Sequence, residues 1–302
     1  MIAQRHLLDL DDADRAGIEA VIGRARELKA NHAAADRALA GRTVLGMFFE
    51  PSTRTAISFA VATQRLGGQW LTFSVAASSL EKGESLEDTM RSVRATGVDA
   101  IVVRHAESGF PHALARHFSG CIINAGDGAH AHPTQGLLDA MTLVEEFGDL
   151  AGRRVVIVGD VMHSRVARST ARAAWLLGAE VTLCGPPMLV PSENPAWGFA
   201  SRVHGLDACL ASADAVILLR IQSERADGAE LPPPHDLAAG YGLTVARAEK
   251  LPAHCILMHP GPVNRGIEIA HPLVTGRRSR IERQVENGVF VRMAVLERAL
   301  RP

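Results

Sequence analysis

The chain lacks several features that mark large classes of proteins. Aromatic residues make up only 4% of its 302 residues, which leaves few side chains for stacking single-stranded bases. Its formal net charge is −1, so neither nucleic acid nor an acidic membrane surface is expected as a partner. No apolar run reaches spanning length, and the first residues lack a signal-peptide pattern. We therefore expect a cytoplasmic protein that is not inserted in a membrane.

The cysteines are few, far apart in the sequence and form no Cys-x-x-Cys pair. They are Cys121, Cys184, Cys209 and Cys255. This spacing indicates neither a zinc site nor a redox pair, and we expect buried, reduced thiols. The Gly-x-Gly-x-x-Gly pattern is also missing from the turn after residue 158, which argues against a dinucleotide cofactor.

Apolar β-like segments alternate with helical patterns along the chain. This alternation predicts an α/β protein with mainly parallel sheets flanked by helices, and the length suffices for two domains. The predicted strands are 43–48, 70–75, 100–103, 121–124, 154–158, 180–185, 215–220 and 256–260. The predicted helices are 10–28, one after Ser52, one ending near 93, 135–147, one that starts at 164–165, and 288–300.

A break in the pattern at 148–152, of sequence GDLAG, predicts the domain boundary. We expect a first domain over 1–147 and a second over 148–287. The C-terminal helix, 288–302, is expected to pack back on the first domain.

The segment 50–55, of sequence EPSTRT, lies between a predicted strand and a predicted helix. A helix N-terminus offers unpaired N–H groups and the positive end of a dipole, and both favour an anion. Hydroxyls and a guanidinium suit phosphate in particular. The alternative is an ordinary capping serine followed by a surface arginine.

Four arginines fall at predicted junctions between strands, loops and helices. They are Arg54, Arg104, Arg165 and Arg220. An arginine at a strand end is often only solvated, but four such positions favour a shared anionic ligand beyond the carboxyl ends of the strands. Ser164 and Arg165, at the start of one predicted helix, suit a carboxylate.

The segment His130-Ala131-His132 suggests metal ligands at first sight. Further donors at matching spacing are missing nearby in the sequence, so no metal is predicted. A better interpretation than a metal site is one histidine beside a helix N-terminus, aimed at a polarised oxygen. For a lone histidine, a capped loop residue is ordinarily the favoured alternative. Ser79 and Lys82, in a polar loop, resemble ordinary surface residues on physical grounds alone.

Four motifs, taken together, make the chain similar to the aspartate/ornithine carbamoyltransferase family over almost its whole length. The first, FEPSTRT at 49–55, is shared by the family. The others resemble the aspartate branch: HPTQ at 132–135, LRIQSER at 219–225 and HPGPVNRG at 259–266.

The resemblance implies transfer of the carbamoyl group of carbamoyl phosphate to the α-amine of L-aspartate. The products would be N-carbamoyl-L-aspartate and phosphate, in de novo pyrimidine biosynthesis. It implies a homotrimer with shared active sites, each between two domains, and no metal or organic cofactor. Alternatives left open are another amino-group acceptor and a non-catalytic scaffold homologue, and association with regulatory chains or a dihydroorotase is also open.

The resemblance also implies roles for individual residues. The carbamoyl-phosphate set is Ser52, Thr53, Arg54, Thr55, Ser79, Lys82, Arg104, His132 and Gln135. Within it, Thr55, Arg104 and His132 surround the carbamoyl oxygen, and Gln135 lies near the nitrogen. The aspartate set is Lys82, Arg165, Arg220 and Gln222. The residues expected to be catalytic are Arg54, Thr55, Lys82, Arg104 and His132.

Two further roles concern movement and assembly. Glu50 is expected to pair with Arg165 and Arg225 when the domains close on both substrates. The loop that carries Ser79 and Lys82 is expected to reach the site of the neighbouring subunit, with Ser78 as the alternative loop ligand.

The chain departs from the family pattern at Ala56 and Ala60, where relatives usually have Arg and Glu. The paired change suggests that one structural ion pair was lost as a unit.

Overall fold

The computed structural model describes residues 6–31, 35–73, 84–190, 195–220 and 233–301. Every strand pair in these ranges is parallel, which confirms the predicted α/β class. The chain forms two compact units, one over 1–138 with 285–302 and one over 139–284. The predicted domain boundary near 148 stays a prediction.

The first unit is built on a four-stranded sheet of order β2-β1-β3-β4. Its strands are β1 (Thr43–Phe48), β2 (Gln69–Thr72), β3 (Ala100–His105) and β4 (Cys121–Asp127). Its helices are α1 (Arg15–Ala30), α2 (Thr53–Arg65), α3 (Leu86–Ala95) and α4 (Phe110–His117), with parts of α5 (Pro133–Phe147) and α11 (Ile281–Leu300). Met47, Ile101 and Leu114 lie in a core between sheet and helices.

The second unit is built on a five-stranded sheet of order β7-β6-β5-β8-β9. Its strands are β5 (Arg154–Val158), β6 (Glu180–Cys184), β7 (Ser201–Val203), β8 (Ala215–Leu218) and β9 (Ile256–Met258). Its helices are α6 (Arg165–Leu176), α7 (Leu206–Leu210), α8 (Pro234–Tyr241), α9 (Val245–Glu249) and α10 (His271–Val274). A 3-10 turn spans Pro195–Trp197.

Each sheet has a point where the strand order reverses. In the first sheet β1 continues to β2 on one side and has β3 on the other; in the second, β5 lies between β6 and β8 in the same way. Ligands of open α/β sheets bind outside the carboxyl ends of the strands at such a switch point. The two switch points, β1/β3 and β5/β8, are therefore where binding residues are expected.

The start of α1 corrects one prediction. The first helix is predicted to begin at residue 10, but α1 begins at Arg15. Asp14 is the N-cap, and its side chain accepts a hydrogen bond from Gly17 N at 2.8 Å. Asp9 instead accepts from Asp11 N at 2.9 Å, which forms a turn ahead of the helix.

The start of α11 corrects another. Gly288 was expected to begin the last helix, but the helix begins at Ile281 and passes through Gly288. A Cβ at Gly288 would lie 2.4 Å from Arg292 Nη1 and 3.2 Å from Leu138 Cδ2. The glycine is therefore explained by close packing inside a helix rather than by a helix end.

Several strand ends and short elements also differ from prediction. Strand β2 ends at Thr72 rather than 75, and residues 74 and 75 lie outside the described ranges. Strands β8 and β9 end two residues earlier than predicted, which leaves Leu219 and Arg220 in a loop. Strand β7 and helices α4, α7, α8, α9 and α10 were not predicted.

All four cysteines are buried free thiols, as predicted. Cys121 Sγ donates to Ala299 O at 2.8 Å within the first unit. In the second unit, burial raises the pKa of Cys255 to about 12. Among the described residues, we find no helix with both the length and the apolar character needed to cross a bilayer.

Candidate active site

The switch point of the first sheet carries the EPSTRT segment and Arg104. Phe48 pairs in register with Arg104, and Phe49 N donates to Arg104 O at 2.9 Å. Glu50 and Ser52 follow directly after β1. Because β1 and β3 are parallel neighbours, these residues all lie at the same edge of the sheet.

The N-terminus of α2 has hydrogen-bonding groups that the described residues do not satisfy. Ser52 occupies the N-cap position, but its side chain makes no capping hydrogen bond. Among the described residues, no acceptor binds the N–H groups of Thr53, Arg54 or Thr55. A serine hydroxyl and consecutive N–H groups at a helix start form an anion-binding arrangement.

Arg54 adds a positive charge to this helix start. The residue is exposed. Desolvation of the guanidinium nevertheless lowers the pKa of Arg54 below its ordinary value. An arginine remains protonated near neutral pH, so its charge is available to an anion. Thr55, one residue further, is buried and presents its hydroxyl from inside the first turn.

Arg104 links the ends of three strands. Its Nε lies 3.6 Å from Glu50 Oε2, and its Nη1 donates to Ala125 O at 3.3 Å. The side chain is 14% exposed, which leaves part of its planar fork accessible. An arginine whose guanidinium is partly accessible suits a partner with two oxygens.

His132 and Gln135 come from the connection between β4 and α5. Both are buried. The carbonyl of His132 accepts from Gln135 N at 3.0 Å and from Gly136 N at 3.1 Å, which fixes the first turn of α5. Thr134 is fully buried, and its hydroxyl has no hydrogen-bond partner among the described residues.

Asp127 supports this connection, and sequence reasoning missed it. Its carboxylate accepts from Gly109 N at 2.7 Å, Asn124 Nδ2 at 2.7 Å and Ala131 N at 3.1 Å. It also pairs with His130 Nδ1 at 3.0 Å. Burial opposes ionisation, but these hydrogen bonds hold the pKa of Asp127 below its ordinary value. The available signal was an aspartate between two glycines at a strand end.

The switch point of the second sheet carries Arg165 and Arg220. Arg165 is the first residue of α6, after β5, and is only 2% exposed. Arg220 follows β8 and is partly buried. Gly159 has φ +124° and a Cβ there would lie 3.0 Å from Leu219 O, so glycine permits the two strand ends to approach. Two arginines at one switch point can bind carboxylates.

Ser164 behaves differently from Ser52. Its hydroxyl accepts a hydrogen bond from Ala167 N at 3.1 Å, and the residue is buried. The N-terminus of α6 is thus capped by its own serine. Ser164 and Arg165 were both predicted to suit a carboxylate. The Ser164 hydroxyl forms the cap of α6, whereas the Arg165 guanidinium is not part of that cap.

The structure places most predicted site residues at the carboxyl edge of the sheet of their own unit. The first sheet carries Glu50, Ser52, Thr53, Arg54, Thr55, Arg104, His132 and Gln135 at its carboxyl edge, and the second carries Arg165 and Arg220. The remaining predicted residues lie outside the described ranges. They are Ser79, Lys82, Gln222 and Arg225, with the alternative Ser78.

Comparison with known families assigns both halves of the chain. Residues 5–145 match the family model for the carbamoyl-P binding domain of aspartate/ornithine carbamoyltransferases. Residues 151–299 match the Asp/Orn binding domain of the same family. The chain therefore belongs to the aspartate/ornithine carbamoyltransferase family.

Individual relatives belong to the aspartate branch. An aspartate carbamoyltransferase catalytic subunit of Chloroflexus aggregans is 49% identical over 301 residues and covers 98% of each chain. The aspartate transcarbamoylase of Trypanosoma cruzi with carbamoyl phosphate has a TM-score of 0.89 and 30% identity, over 99% of this chain and 97% of that one. The same enzyme with carbamoyl phosphate and aspartate has a TM-score of 0.87 and 29% identity, over 99% and 96%.

Proposed function

We propose that this chain transfers the carbamoyl group of carbamoyl phosphate to the α-amine of L-aspartate. The products are N-carbamoyl-L-aspartate and phosphate, formed in de novo pyrimidine biosynthesis. The observation that carries the proposal is the start of α2, where a serine hydroxyl and three N–H groups have no capping partner among the described residues and lie beside Arg54. The names of the relatives support aspartate as the acceptor, so neither another acceptor nor a non-catalytic scaffold role is favoured.

The phosphate of carbamoyl phosphate binds at the start of α2. Ser52, Thr53, Arg54 and Thr55 contribute hydroxyls, N–H groups and one guanidinium, and Arg104 joins them. Charge increases on the phosphate as it leaves, so fixed donors there lower the barrier of the reaction. One such donor is typically worth a few kcal/mol of transition-state stabilisation.

The carbamoyl group itself is held by residues from three strand ends. Thr55, Arg104 and His132 donate to the carbonyl oxygen, which becomes negative when the amine attacks. Gln135 binds the carbamoyl nitrogen. His132 serves best as a neutral imidazole, because the arginines of the site disfavour a positive charge on its ring.

Aspartate binds to residues of the second unit. Arg165, Arg220 and Gln222 hold its two carboxylates, and Lys82 also contacts them. The α-amine attacks the carbamoyl carbon, the C–O bond to phosphate breaks, and the departing phosphate takes the amine proton. Orientation of the two substrates supplies a large share of the rate. Neither a metal nor an organic cofactor is part of this mechanism.

Glu50 controls closure in this proposal. Glu50 Oε2 lies 3.6 Å from Arg104 Nε, so Arg104 competes for the carboxylate. Once phosphate occupies Arg104, Glu50 turns to Arg165 and Arg225 and draws the aspartate-binding domain (148–287) toward the carbamoyl-phosphate-binding domain (1–147 with 288–302).

The working enzyme is a cytoplasmic homotrimer in which Ser79 and Lys82 complete the site of the neighbouring subunit. Cyclic symmetry makes all three interfaces equivalent, so each trimer has three composite sites. Mixing inactive Lys82→Ala and Arg54→Ala chains in equal amounts should leave about one quarter of the sites wild type, half times half. Mixed trimers that stay as inactive as either parent would contradict the shared site.

The substrate assignment is tested by measuring carbamoylated product with aspartate and with ornithine as acceptors. We expect product with aspartate only. Product with ornithine alone would show a different acceptor, and no product with either would show a non-catalytic homologue. The wild-type chain should be compared with Arg54→Ala and with Arg91→Ala, a control that changes an arginine with 69% exposure on α3.

A further inference from the structure

A cluster of histidines and carboxylates lies in the first unit, away from the start of α2 in sequence. It consists of His112 on α4, His130 and Asp127 around the β4–α5 connection, and Asp9 before α1. One ring nitrogen of each histidine and one oxygen of Asp127 all lie within 4.8 Å of one another. His132, the other histidine of the HAH sequence, belongs to no such group among the described residues.

The cluster contains two histidine–carboxylate pairs side by side. His112 Nε2 lies 2.9 Å from Asp9 Oδ2, and His130 Nδ1 lies 3.0 Å from Asp127 Oδ2. The two imidazole centroids are 5.6 Å apart. Histidines that bind metals usually donate their second ring nitrogen to a carboxylate, which fixes the tautomer and raises the basicity of the ligand. The His112–Asp9 pair fits this pattern, whereas Asp127 and His130 would both be ligands.

His112 has a ring nitrogen that its surroundings do not satisfy. Its Nδ1 is buried and has no hydrogen-bond partner among the described residues. With Nε2 held by Asp9, Nδ1 can bind a cation while that hydrogen bond remains. A buried polar atom without a partner calls for an explanation, and an ion is one.

We propose that His112, His130 and Asp127 bind a divalent transition-metal ion such as Zn²⁺, with Asp9 orienting His112. Two imidazoles and a carboxylate are a donor set that such ions prefer. Zinc donors lie roughly 3.4 Å apart when each is about 2.1 Å from the metal, so small side-chain rotations suffice to close the site. Asp11 lies close to Asp9 and His130 and adds negative charge.

The ion can reach this site from solvent. The side chains of His112 and His130 are 37% and 20% exposed, whereas Asp127 is fully buried. The donors come from three separate parts of the chain: the segment before α1, helix α4 and the β4–α5 connection. A bound metal would therefore tie these parts together and stabilise the connection that leads to His132.

The test uses the full chain without an affinity tag, stripped with EDTA and dialysed. Co²⁺ binding is followed by visible absorption and Zn²⁺ binding by calorimetry, with Tm measured at each metal concentration. We expect one metal per chain and a rise of Tm with metal concentration, since an ion that binds the folded chain stabilises it.

The variants separate metal binding from structure. His112→Gln keeps a donor near Asp9 but loses Nδ1, and His130→Asn keeps a donor near Asp127 but loses the imidazole Nδ1 that lies 3.0 Å from Asp127 Oδ2. Each should weaken metal binding at least about tenfold, as expected for loss of a ligand. His117→Gln, an exposed histidine at the end of α4, should bind like the wild type.

Two results would overturn the proposal. One is a wild-type chain without a saturable metal site; the other is unchanged affinity in both His112→Gln and His130→Asn. The Tm of each metal-free variant shows whether it folds, and if one does not, the other decides. Activity is not needed as a readout, so failure of this site and failure of the proposed reaction are distinguishable.

Discussion

Helices α2 and α6 each follow a central strand at a switch point, and each begins after a serine. Ser164 caps α6 through Ala167 N, whereas the hydroxyl of Ser52 makes no capping bond to α2. The arginines at the two helix starts also differ in exposure: Arg54 on α2 is exposed, and Arg165 on α6 is buried. The start of α6 is stabilised by its own serine, whereas the first N–H groups of α2 have no acceptor among the described residues.

This difference shows how one strand–helix junction serves two purposes. An N-cap contributes about 1 kcal/mol to stability when a side chain satisfies the first N–H groups. The α2 start lacks that contribution, and in the proposed function its donors are satisfied by the phosphate when carbamoyl phosphate is bound. Substitutions at the two helix starts and in the second unit test this difference.

The largest effect is expected for Arg54→Ala. Loss of a preorganised donor at the leaving phosphate should lower kcat about 100-fold or more. The Tm should change little because Arg54 is exposed. Steady-state kinetics and thermal unfolding test this, with Arg91→Ala as control. A loss below tenfold in a folded variant would mean that α2 does not bind the phosphate.

Arg220→Ala should affect mainly the aspartate side. A lost charge-assisted pair with a carboxylate costs on the order of 2 kcal/mol, so KM for aspartate should rise about 30-fold. KM for carbamoyl phosphate should change far less. Lys250→Ala, an exposed change in the same unit, is the control. Equal effects on both substrates would remove Arg220 from the aspartate site.

The two serines test the contrast directly. Ser164→Ala should lower the free energy of unfolding by about 1 kcal/mol, because it removes a satisfied cap. Ser52→Ala should lower it by less than about 0.5 kcal/mol, since no capping bond is lost, but should weaken carbamoyl phosphate binding. Urea unfolding without substrates gives the first comparison and KM the second. Equal losses of stability would show that Ser52 is an ordinary cap.

The smallest effect concerns acid stability in the second unit. Asp214 accepts from Arg154 N at 2.8 Å and lies 2.7 Å from His254 Nε2. Burial opposes ionisation, yet these contacts keep the pKa of Asp214 below its ordinary value. A lowered folded-state pKa adds stability above the unfolded-state pKa, and that stability is lost as pH falls through the folded-state pKa.

Asp214→Asn should therefore be less stable than the wild type at neutral pH, with a difference that narrows below about pH 4. Urea unfolding at several pH values measures this difference. Asp207→Asn, which changes a carboxylate with 54% exposure in the same unit, is the control. A stability difference that widens toward low pH would mean that the folded-state pKa of Asp214 is raised rather than lowered.

The sequence predicts the long, strongly apolar elements well. Strands β1 and β5 have the predicted bounds, 43–48 and 154–158, because four or more central residues of each are buried. Short elements such as β7 depend on pairing with a distant strand, which local pattern does not reveal. The start of α11 was missed because Gly288 resembles a helix boundary in the sequence. The glycine is instead explained by close packing against Leu138, which is distant in sequence.

The candidate site was predictable where strand ends carry charged residues. Arg54 and Arg165 lie in the first turns of α2 and α6, Arg104 lies near the end of β3, and Arg220 follows β8, as their sequence positions indicate. The opposite behaviour of Ser52 and Ser164 was not predictable, because it depends on which way a hydroxyl turns. The contact between His112 and Asp9 joins residues 103 positions apart, so no local spacing could indicate it.

The buried cysteines divide between the two units in a useful way. Cys121 is the thiol of the first unit, and Cys255 is one of three in the second. Only a thiolate reacts rapidly with alkylating reagents, and a buried thiol must first meet solvent. The rate of alkylation at each cysteine therefore records how often its surroundings open. Mass spectrometry of labelled peptides can follow both positions in one sample. Cys121 and Cys255 can therefore report local unfolding of the first and second units separately.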